Sequence, residues 1–385
     1  MTPDAFVIVG GSLAGAEAAA GLREGGFDGR VVLIGSEPWL PYARPELSKG
    51  YLMGRRTMSD MQVRPPDFYS DTGIEVLTST TVTAIDPGSR LVQLEGGGSL
   101  GYERLLLATG ASPRALDVPG GHLQGVLSLR TVSDADVLRE GILRSDRVVV
   151  VGSGWLVCEV AACARMLGAE VAMVSPDPYP LCAVLGPQVG AVLRDLHVDH
   201  GVALHLGASV EAVVGTERAQ GVRTTDGTMV VGDLVVVGIG AAPRDGLARR
   251  AGIEADDGIL VDEYLRTSDP RVFAAGDVAN AWHPLLGARL RVEHWDNAIK
   301  QGRAAAANML DARSAYTQRP FFFSDQYDLA LEYRGHARRW DQLVFRGDPA
   351  SVPHFSSHRG SDDDIQTAAR RGDFHRRSGA RRTRR

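Results

Sequence analysis

The chain is poor in cysteine and aromatic residues and carries no strong charge of either sign. Three cysteines in 385 residues do not make the disulfide framework that staples small secreted domains, so the core must come from apolar packing. Aromatics are only 6%, and a formal charge of −5 gives the chain as a whole no reason to bind nucleic acid. No apolar run is long enough for a membrane span, and no basic stretch precedes an apolar one near Met1. Neither a signal peptide nor a membrane partner is expected, and the cytoplasm is the expected compartment. What remains is enough chain for two or three domains, with the 44% apolar content usual for an α/β protein.

What the chain does contain is one glycine-rich turn written twice, 142 residues apart from Gly10 to Gly152. The first runs from Phe6 through Val9 into Gly10, Gly11, Ser12, Leu13, Ala14 and Gly15, then into alanines. The second runs from Arg147 through four valines into Gly152, Ser153, Gly154, Trp155, Leu156, Val157, Cys158 and Glu159. Each reads as a buried strand, a glycine turn and a helix start, the arrangement that sets a pyrophosphate on a helix N-terminus. One such turn is common. Two at a domain's distance imply a protein that holds two dinucleotides against each other, the layout of a flavoenzyme reduced by a nicotinamide.

Glu37, 22 residues past Gly15, follows the strand 31–34 and can accept from a ribose hydroxyl. The segment 40–49, with Pro41, Arg44, Pro45 and Lys49, reads as a rigid basic loop. Strand-like segments follow at 74–77, 81–85 and 91–94, then 105–107 ending in Ala108, Thr109 and Gly110. The second unit has helices over 155–167 and 188–200 and strands over 170–174, 202–206 and 234–237. The chain then returns to the first unit through 261–267, 272–278 and a helix at 299–309. From Phe321 the period switches to alternating strands at 321–323, 329–333 and 343–346. After Ala350 the periodicity is lost, and an aspartate triplet at 362–364 precedes repeated arginine doublets, the composition of a disordered tail.

These residues resemble the ferredoxin/rubredoxin reductase family, FAD-dependent NAD(P)H oxidoreductases of the pyridine nucleotide-disulfide superfamily that lack the redox disulfide and serve oxygenase and cytochrome P450 chains. The resemblance covers roughly residues 6–350. It rests on both glycine turns, Arg44-Pro45-x-Leu47-Ser48-Lys49, Ala108-Thr109-Gly110, Gly276-Asp277, Glu293-His294-Trp295-x-Asn297-Ala298 and Ser324-Asp325-Gln326-Tyr327. It implies an α/β fold of two Rossmann-like domains with an α+β C-terminal interface domain. The FAD-binding domain would be split between 1–112 and 244–319, around an NAD(P)H-binding domain at 113–243. The interface domain would begin over 320–350 and look truncated, with 351–385 an atypical arginine-rich tail from a shortened or frame-shifted end.

By the same resemblance, Gly10, Ser12, Leu13, Ala14 and Gly15 would cradle the FAD pyrophosphate and Glu37 its adenosine ribose. Arg44, Val82, Ala108, Thr109, Gly110, Arg130, Gly276, Val278 and Trp295 would make further FAD contacts. Asp277 would hold the ribityl hydroxyls and precede a helix whose positive end faces the flavin pyrimidine edge. Lys49 would lie beside flavin N5, paired with Glu159 in an ion pair that links the flavin and nicotinamide sites; these two are the expected catalytic residues. NADH or NADPH would meet Gly152, Gly154, Trp155, Leu156, Glu159, Ser175 and Gly238. The implied acceptor is a [2Fe–2S] ferredoxin or a rubredoxin, docked at an arginine patch (Arg334, Arg338, Arg339) on a monomer or weak dimer. No metal site is implied.

The second turn departs from its pattern. Val157 stands where a third glycine lets helix and strand pack closely, and is expected to strain the turn by about 1–3 kcal/mol or to push the helix outward. Ser175 ends the strand where an NAD-binding acid is expected, with no arginine beside it for a 2′-phosphate. Cys158 and Cys163 copy the spacing of a redox pair, but residues five apart on a helix are about 140° apart around its axis and beyond disulfide reach. His197, His200 and His205 straddle a helix end and a strand and read as packed or solvated rather than metal-ligating. Two other readings remain: an NADH oxidase or nitrite-reductase-like subunit, and a non-catalytic NADH-sensing flavoprotein similar to apoptosis-inducing factor.

Overall fold

The structure, a computed structural model, describes residues 5–336 and, as backbone strands, Gln342–Arg346, His354–Gly360 and Ile365–Arg371. The chain divides into two compact units. The first comprises Met1–Glu46, Arg56–Arg114 and Ala241–Pro320; the second comprises Leu47–Arg55, Ala115–Gly240 and Phe321–Arg385. The segment with Lys49 thus belongs to the second unit, although its place in the sequence suggests the first.

In the first unit five parallel strands lie in the order Val272–Ala274, Arg104–Leu107, Phe6–Val9, Val31–Ile34, Ile74–Leu77. All but the edge strand Ile74–Leu77, which exposes Glu75, are near-continuous apolar runs, as strands covered on both faces must be. The helices Leu13–Glu24 and Trp295–Met309 pack through small residues: a Cβ on Gly302 would lie 2.4 Å from Ala14 O, and one on Gly21 3.0 Å from Ala306 Cβ. Buried Glu17 crosses that contact as an ion pair with Arg303 at 2.7 Å and also pairs with Arg64 at 2.9 Å.

One expectation fails here. No helix follows Asp277; a single 3-10 turn, Gly276–Val278, runs straight into the strand Ala279–His283. That strand pairs with Ile259–Val261 and Ala288–Arg291, so its backbone groups are spent in a ladder. The helix beside this turn is Trp295–Met309, which starts four residues earlier than periodicity suggested; the His294 ring caps it by accepting from Asp296 N.

The second unit repeats the architecture with parallel strands in the order Val202–Leu206, Glu170–Ser175, Arg147–Val151, Leu234–Val237, Val126–Leu127. Its helix Cys182–Asp199 is broken at Gly186 (φ +80°), with Pro187 opening the regular turns beyond. Leu181, Leu185, Val189, Leu193 and Leu196 of this stretch pack with Leu329, Leu331 and Tyr333, which ties the C-terminal strands into the unit.

Those strands continue past residue 350, where the sequence pattern suggests none. An antiparallel sheet runs in the order Phe321–Gln326, Leu329–Arg334, Ile365–Arg371, His354–Gly360, Gln342–Arg346. The pattern hid this because residues 354–360 are nearly all polar, whereas the pairing is main-chain: Ile365–Arg371 takes the open edge of Leu329–Arg334. The aspartate triplet at 362–364, Arg338, Arg339 and residues 372–385 lie outside the described residues.

Candidate functional site

The first glycine turn is built for close approach. Gly10 has φ +130°, and a Cβ there would lie 2.0 Å from Ala108 O; one on Gly15 would lie 2.1 Å from Gly10 O. Only glycine fits, and the small Ala108-Thr109-Gly110 segment is what the turn abuts. Ser12 caps the following helix without a side-chain hydrogen bond, and no acid stands in its first turn. The N–H groups of Leu13, Ala14 and Gly15 therefore face the mouth of the turn with no carboxylate of their own, a donor set suited to a pyrophosphate.

Glu37 sits over this mouth within a polar knot. Its carboxylate accepts from Tyr42 OH and from Arg44 Nη2, each at 2.5 Å, and Arg44 Nε donates to Ser12 Oγ at 3.2 Å. The serine that replaces the middle glycine thus ties Arg44 to the turn, a role spacing alone does not suggest. Gly276 (φ +78°) donates its N–H to Gln301 Oε1 at 2.9 Å and leaves Asp277 half-buried beside the start of Trp295–Met309. Thr109 Oγ1 donates to Arg244 O at 2.8 Å. Val82 and Val278 are core residues of the unit, and Trp295 is 37% exposed at the first position of its helix. Arg130 falls in the second unit, where its N–H donates to Asp134. Within the first unit, the free N–H groups of the turn and the Glu37 carboxylate are chemically suited to the pyrophosphate and adenosine ribose of a dinucleotide.

In the second unit Lys49 Nζ lies 2.7 Å from Glu159 Oε2, with the two side chains 14% and 5% exposed. A buried pair needs its remaining lone pairs satisfied. Ser48 Oγ donates to Oε2 at 2.6 Å and Ser324 Oγ to Oε1 at 2.7 Å, while the Phe323 ring lies under the ammonium at 5.2 Å. The network runs on: Gln326 Nε2 donates to Ser324 Oγ at 3.1 Å, His197 Nε2 lies 3.0 Å from Gln326 Oε1, and Tyr327 OH lies 3.3 Å from His197 Nδ1. Burial holds the His197 imidazole down at about 4, so it is neutral in this network. Ser324 and Gln326 share one face of a strand by the period of two; nothing in the sequence shows that this face meets Glu159.

The second glycine turn is sound despite its departures. Gly152 has φ +112°, and a Cβ there would lie 2.4 Å from Gly238 O. A Cβ on Gly154 would meet nothing within 4 Å, so the turn opens outward. The helix Trp155–Met166 likewise starts with neither an acid nor a side-chain cap. Val157 neither strains the turn nor displaces the helix: it is fully buried, and Gly238 makes the space, since a Cβ there would lie 2.1 Å from Val157 Cγ1. The missing glycine is supplied on the facing strand end. Trp155 stacks on Phe322 at 5.9 Å, and Leu156 is half-buried beside it.

Ser175 is buried, and its hydroxyl donates to Ser153 Oγ at 2.8 Å; Ser153 in turn donates to Asp177 Oδ2 at 2.8 Å. The strand end therefore has a carboxylate, Asp177, two residues later than the pattern suggests. Cys158 and Cys163 are buried free thiols; burial raises both, Cys163 to about 12, with Glu159 adding to the effect. Cys163 Sγ donates to Ser48 O at 3.1 Å, a packing role. Arg334 lies on the Phe321 ring at 4.9 Å. No helix among the described residues is long and apolar enough to cross a membrane.

The chain as a whole is similar to known proteins. The family described as pyridine nucleotide-disulphide oxidoreductase matches residues 4–302, and the one described as reductase C-terminal matches residues 321–374, past the point where the sequence pattern faded. The 5,5′-dehydrodivanillate O-demethylase ferredoxin reductase subunit of Sphingobium sp. is 39% identical over 90% of this chain and 84% of its own length. Putidaredoxin reductase of Pseudomonas putida is 37% identical over 92% of this chain and 85% of its own. The crystal structure of a ferredoxin reductase from Rhodopseudomonas palustris superposes with a TM-score of 0.92 at 36% identity, covering 95% of this chain and 91% of that one.

Proposed function

The chain belongs to the FAD-dependent ferredoxin and rubredoxin reductases of the pyridine nucleotide-disulphide oxidoreductase family, and from that premise we propose that it passes electrons from NAD(P)H to a small iron–sulfur protein feeding an oxygenase. The observation that carries this reading is the paired cradle: two turns, each with a glycine that a Cβ would clash out of place and a helix start free of acids. When bound, FAD supplies the chemistry, accepting a hydride at N5 and releasing electrons singly.

The residues supply position and charge. In the first unit Leu13, Ala14 and Gly15 present N–H donors to the FAD pyrophosphate, while Glu37, fixed by Arg44 and Tyr42, takes the ribose. In the second unit the turn at Gly152 takes the nicotinamide dinucleotide. Lys49, held by Glu159, is the cation that serves the electron transfer, with Ser48 and Ser324 keeping the carboxylate oriented. The buried thiols at Cys158 and Cys163 take no part, so electrons leave the flavin without a disulfide relay. The acceptor in this reading is a [2Fe–2S] ferredoxin or a rubredoxin; the ferredoxin-reductase names of the relatives support a ferredoxin, without its cluster type. The working form is a monomer or weak dimer in the cytoplasm.

The test is anaerobic mixing of the FAD-loaded protein with NADH and, separately, NADPH, followed by addition of a [2Fe–2S] ferredoxin. Rapid bleaching of the flavin and its reoxidation by ferredoxin are expected. Flavin that stays oxidised under millimolar nucleotide, or reoxidises only with oxygen, overturns the reading.

A further inference from the structure

We propose that Asp177 binds the adenosine ribose of the nicotinamide dinucleotide and makes this chain select NADH over NADPH. The inference rests on the functional reading above and deepens it.

The two glycine turns correspond residue by residue. Val9, just before the first turn, lies opposite Ile34, and Val151, just before the second, lies opposite Val174. Three residues beyond those partners stand Glu37 and Asp177. The residues between also correspond. Gly11 abuts Gly35, since a Cβ on Gly11 would lie 2.8 Å from Gly35 Cα. In the second copy Ser153 meets Ser175, with their Oγ atoms 2.8 Å apart. The carboxylate expected at the strand end is thus displaced to the position that serves the first copy.

Asp177 is held in place. Its N–H donates to Ser175 Oγ at 3.2 Å, the Ser175 hydroxyl donates to Ser153 Oγ, and the Ser153 hydroxyl returns to Asp177 Oδ2 at 2.8 Å. This closed ring ties one carboxylate oxygen to the glycine turn and leaves Oδ1 with no partner among the described residues. Gly207 N donates to Asp177 O at 3.2 Å, and Pro176 and Pro178 flank it, so the loop has little freedom to lose on binding.

A carboxylate so placed accepts from ribose hydroxyls and repels a 2′-phosphate, which brings a charge near −2. The segment that follows the strand offers no uncommitted cation for a 2′-phosphate. Between Ser175 and Gly207 the only Lys or Arg is Arg194; it pairs with Asp195 at 2.7 Å and lies on the Tyr179 ring at 5.4 Å.

The test is calorimetric titration of the oxidised, FAD-loaded protein with NAD+ and NADP+, which bind without turnover. The wild type should prefer NAD+ by at least about tenfold. Asp177→Asn should weaken NAD+ roughly tenfold to a hundredfold, the range for hydrogen bonds to a charged group, with NADP+ unchanged or tighter. If Asp177→Asn does not fold, Ser153→Ala keeps the charge but removes its tether; it should weaken NAD+ severalfold and still exclude NADP+. An unchanged NAD+/NADP+ ratio in Asp177→Asn, an unchanged NAD+ affinity in Ser153→Ala, or equal wild-type affinities would each overturn the proposal alone. A wild type that binds neither nucleotide overturns the functional reading and the proposal with it.

Discussion

Replacing Glu159 by Gln keeps the shape of the side chain and removes the anion from Lys49. The cost follows from burial. The pair lies at 2.7 Å with side chains 14% and 5% exposed, so the ammonium left behind has little water to turn to. Removing one partner of a buried ion pair costs about 3–5 kcal/mol. The Phe323 ring at 5.2 Å offsets roughly 1 kcal/mol of that, so Glu159→Gln should cost about 3 kcal/mol. Lys49→Met should cost less, about 2 kcal/mol, because Ser48 and Ser324 still donate to the carboxylate. In the double variant both charges of the pair are gone, and the loss should be about 2 kcal/mol rather than the sum of the singles. The assay is native-state hydrogen exchange of the amides in Trp155–Met166, which reads the opening free energy of this region and not that of the whole chain. Additive single costs, with no coupling, would refute the claim that each charge is there for the other.

Three further outcomes are expected. Gly10→Ala must place a Cβ 2.0 Å from Ala108 O at φ +130°; flavin content after purification should fall at least tenfold, whereas Gly26→Ala, with open space around it, should retain flavin. Gly238→Ala alone should destabilise the second unit by about 2 kcal/mol through its 2.1 Å approach to Val157 Cγ1, and adding Val157→Gly should remove that clash; thermal melts in which the double variant is as impaired as the sum of the singles would contradict the pairing. Burial lowers His197 from 6.5 to about 4, so between those values the unfolded chain binds the extra proton and stability falls as pH drops, by about 3 kcal/mol at pH 4. His197→Gln should flatten that slope in urea melts; an unaltered slope would assign it to other groups.

What the sequence discloses and what it hides divide along chain separation. The glycine turns are legible because strand, turn and helix are contiguous and the φ each demands belongs to glycine. The Ser12–Arg44–Glu37 knot is half legible, its members lying on one loop and one turn. The partner of Val157 is not legible, since Gly238 stands 81 residues away and only the facing strand end shows that it yields the space. Ser324 is farther still from Glu159, and period-two alternation gives its face without what that face meets. The strand after Asp277 is not legible because a glycine-acid pair reads as a helix start, yet Ala279–His283 has a ladder waiting on each side. The strands His354–Gly360 and Ile365–Arg371 are hidden in the sequence because strand recognition rests on apolar alternation, while edge pairing needs only a backbone.

The buried chain of contacts that ends on Glu159 leaves its members no choice of polarity. A carboxylate only accepts, so Ser324 must donate to it; its oxygen then accepts from the Gln326 amide nitrogen, which turns the amide oxygen toward His197. That oxygen also only accepts, so the imidazole proton sits on Nε2, and Nδ1 is left to accept from Tyr327 OH. Four successive donors point the same way, like dipoles aligned head to tail toward one anion, each polarising the next. Such a line has a handedness that size does not capture. Gln326→Glu is nearly isosteric and adds only charge, yet it puts an acceptor where the line needs a donor and sets a second anion against the first. Gln326→Met, larger in chemical change, breaks the line without reversing it and is the milder of the two lesions.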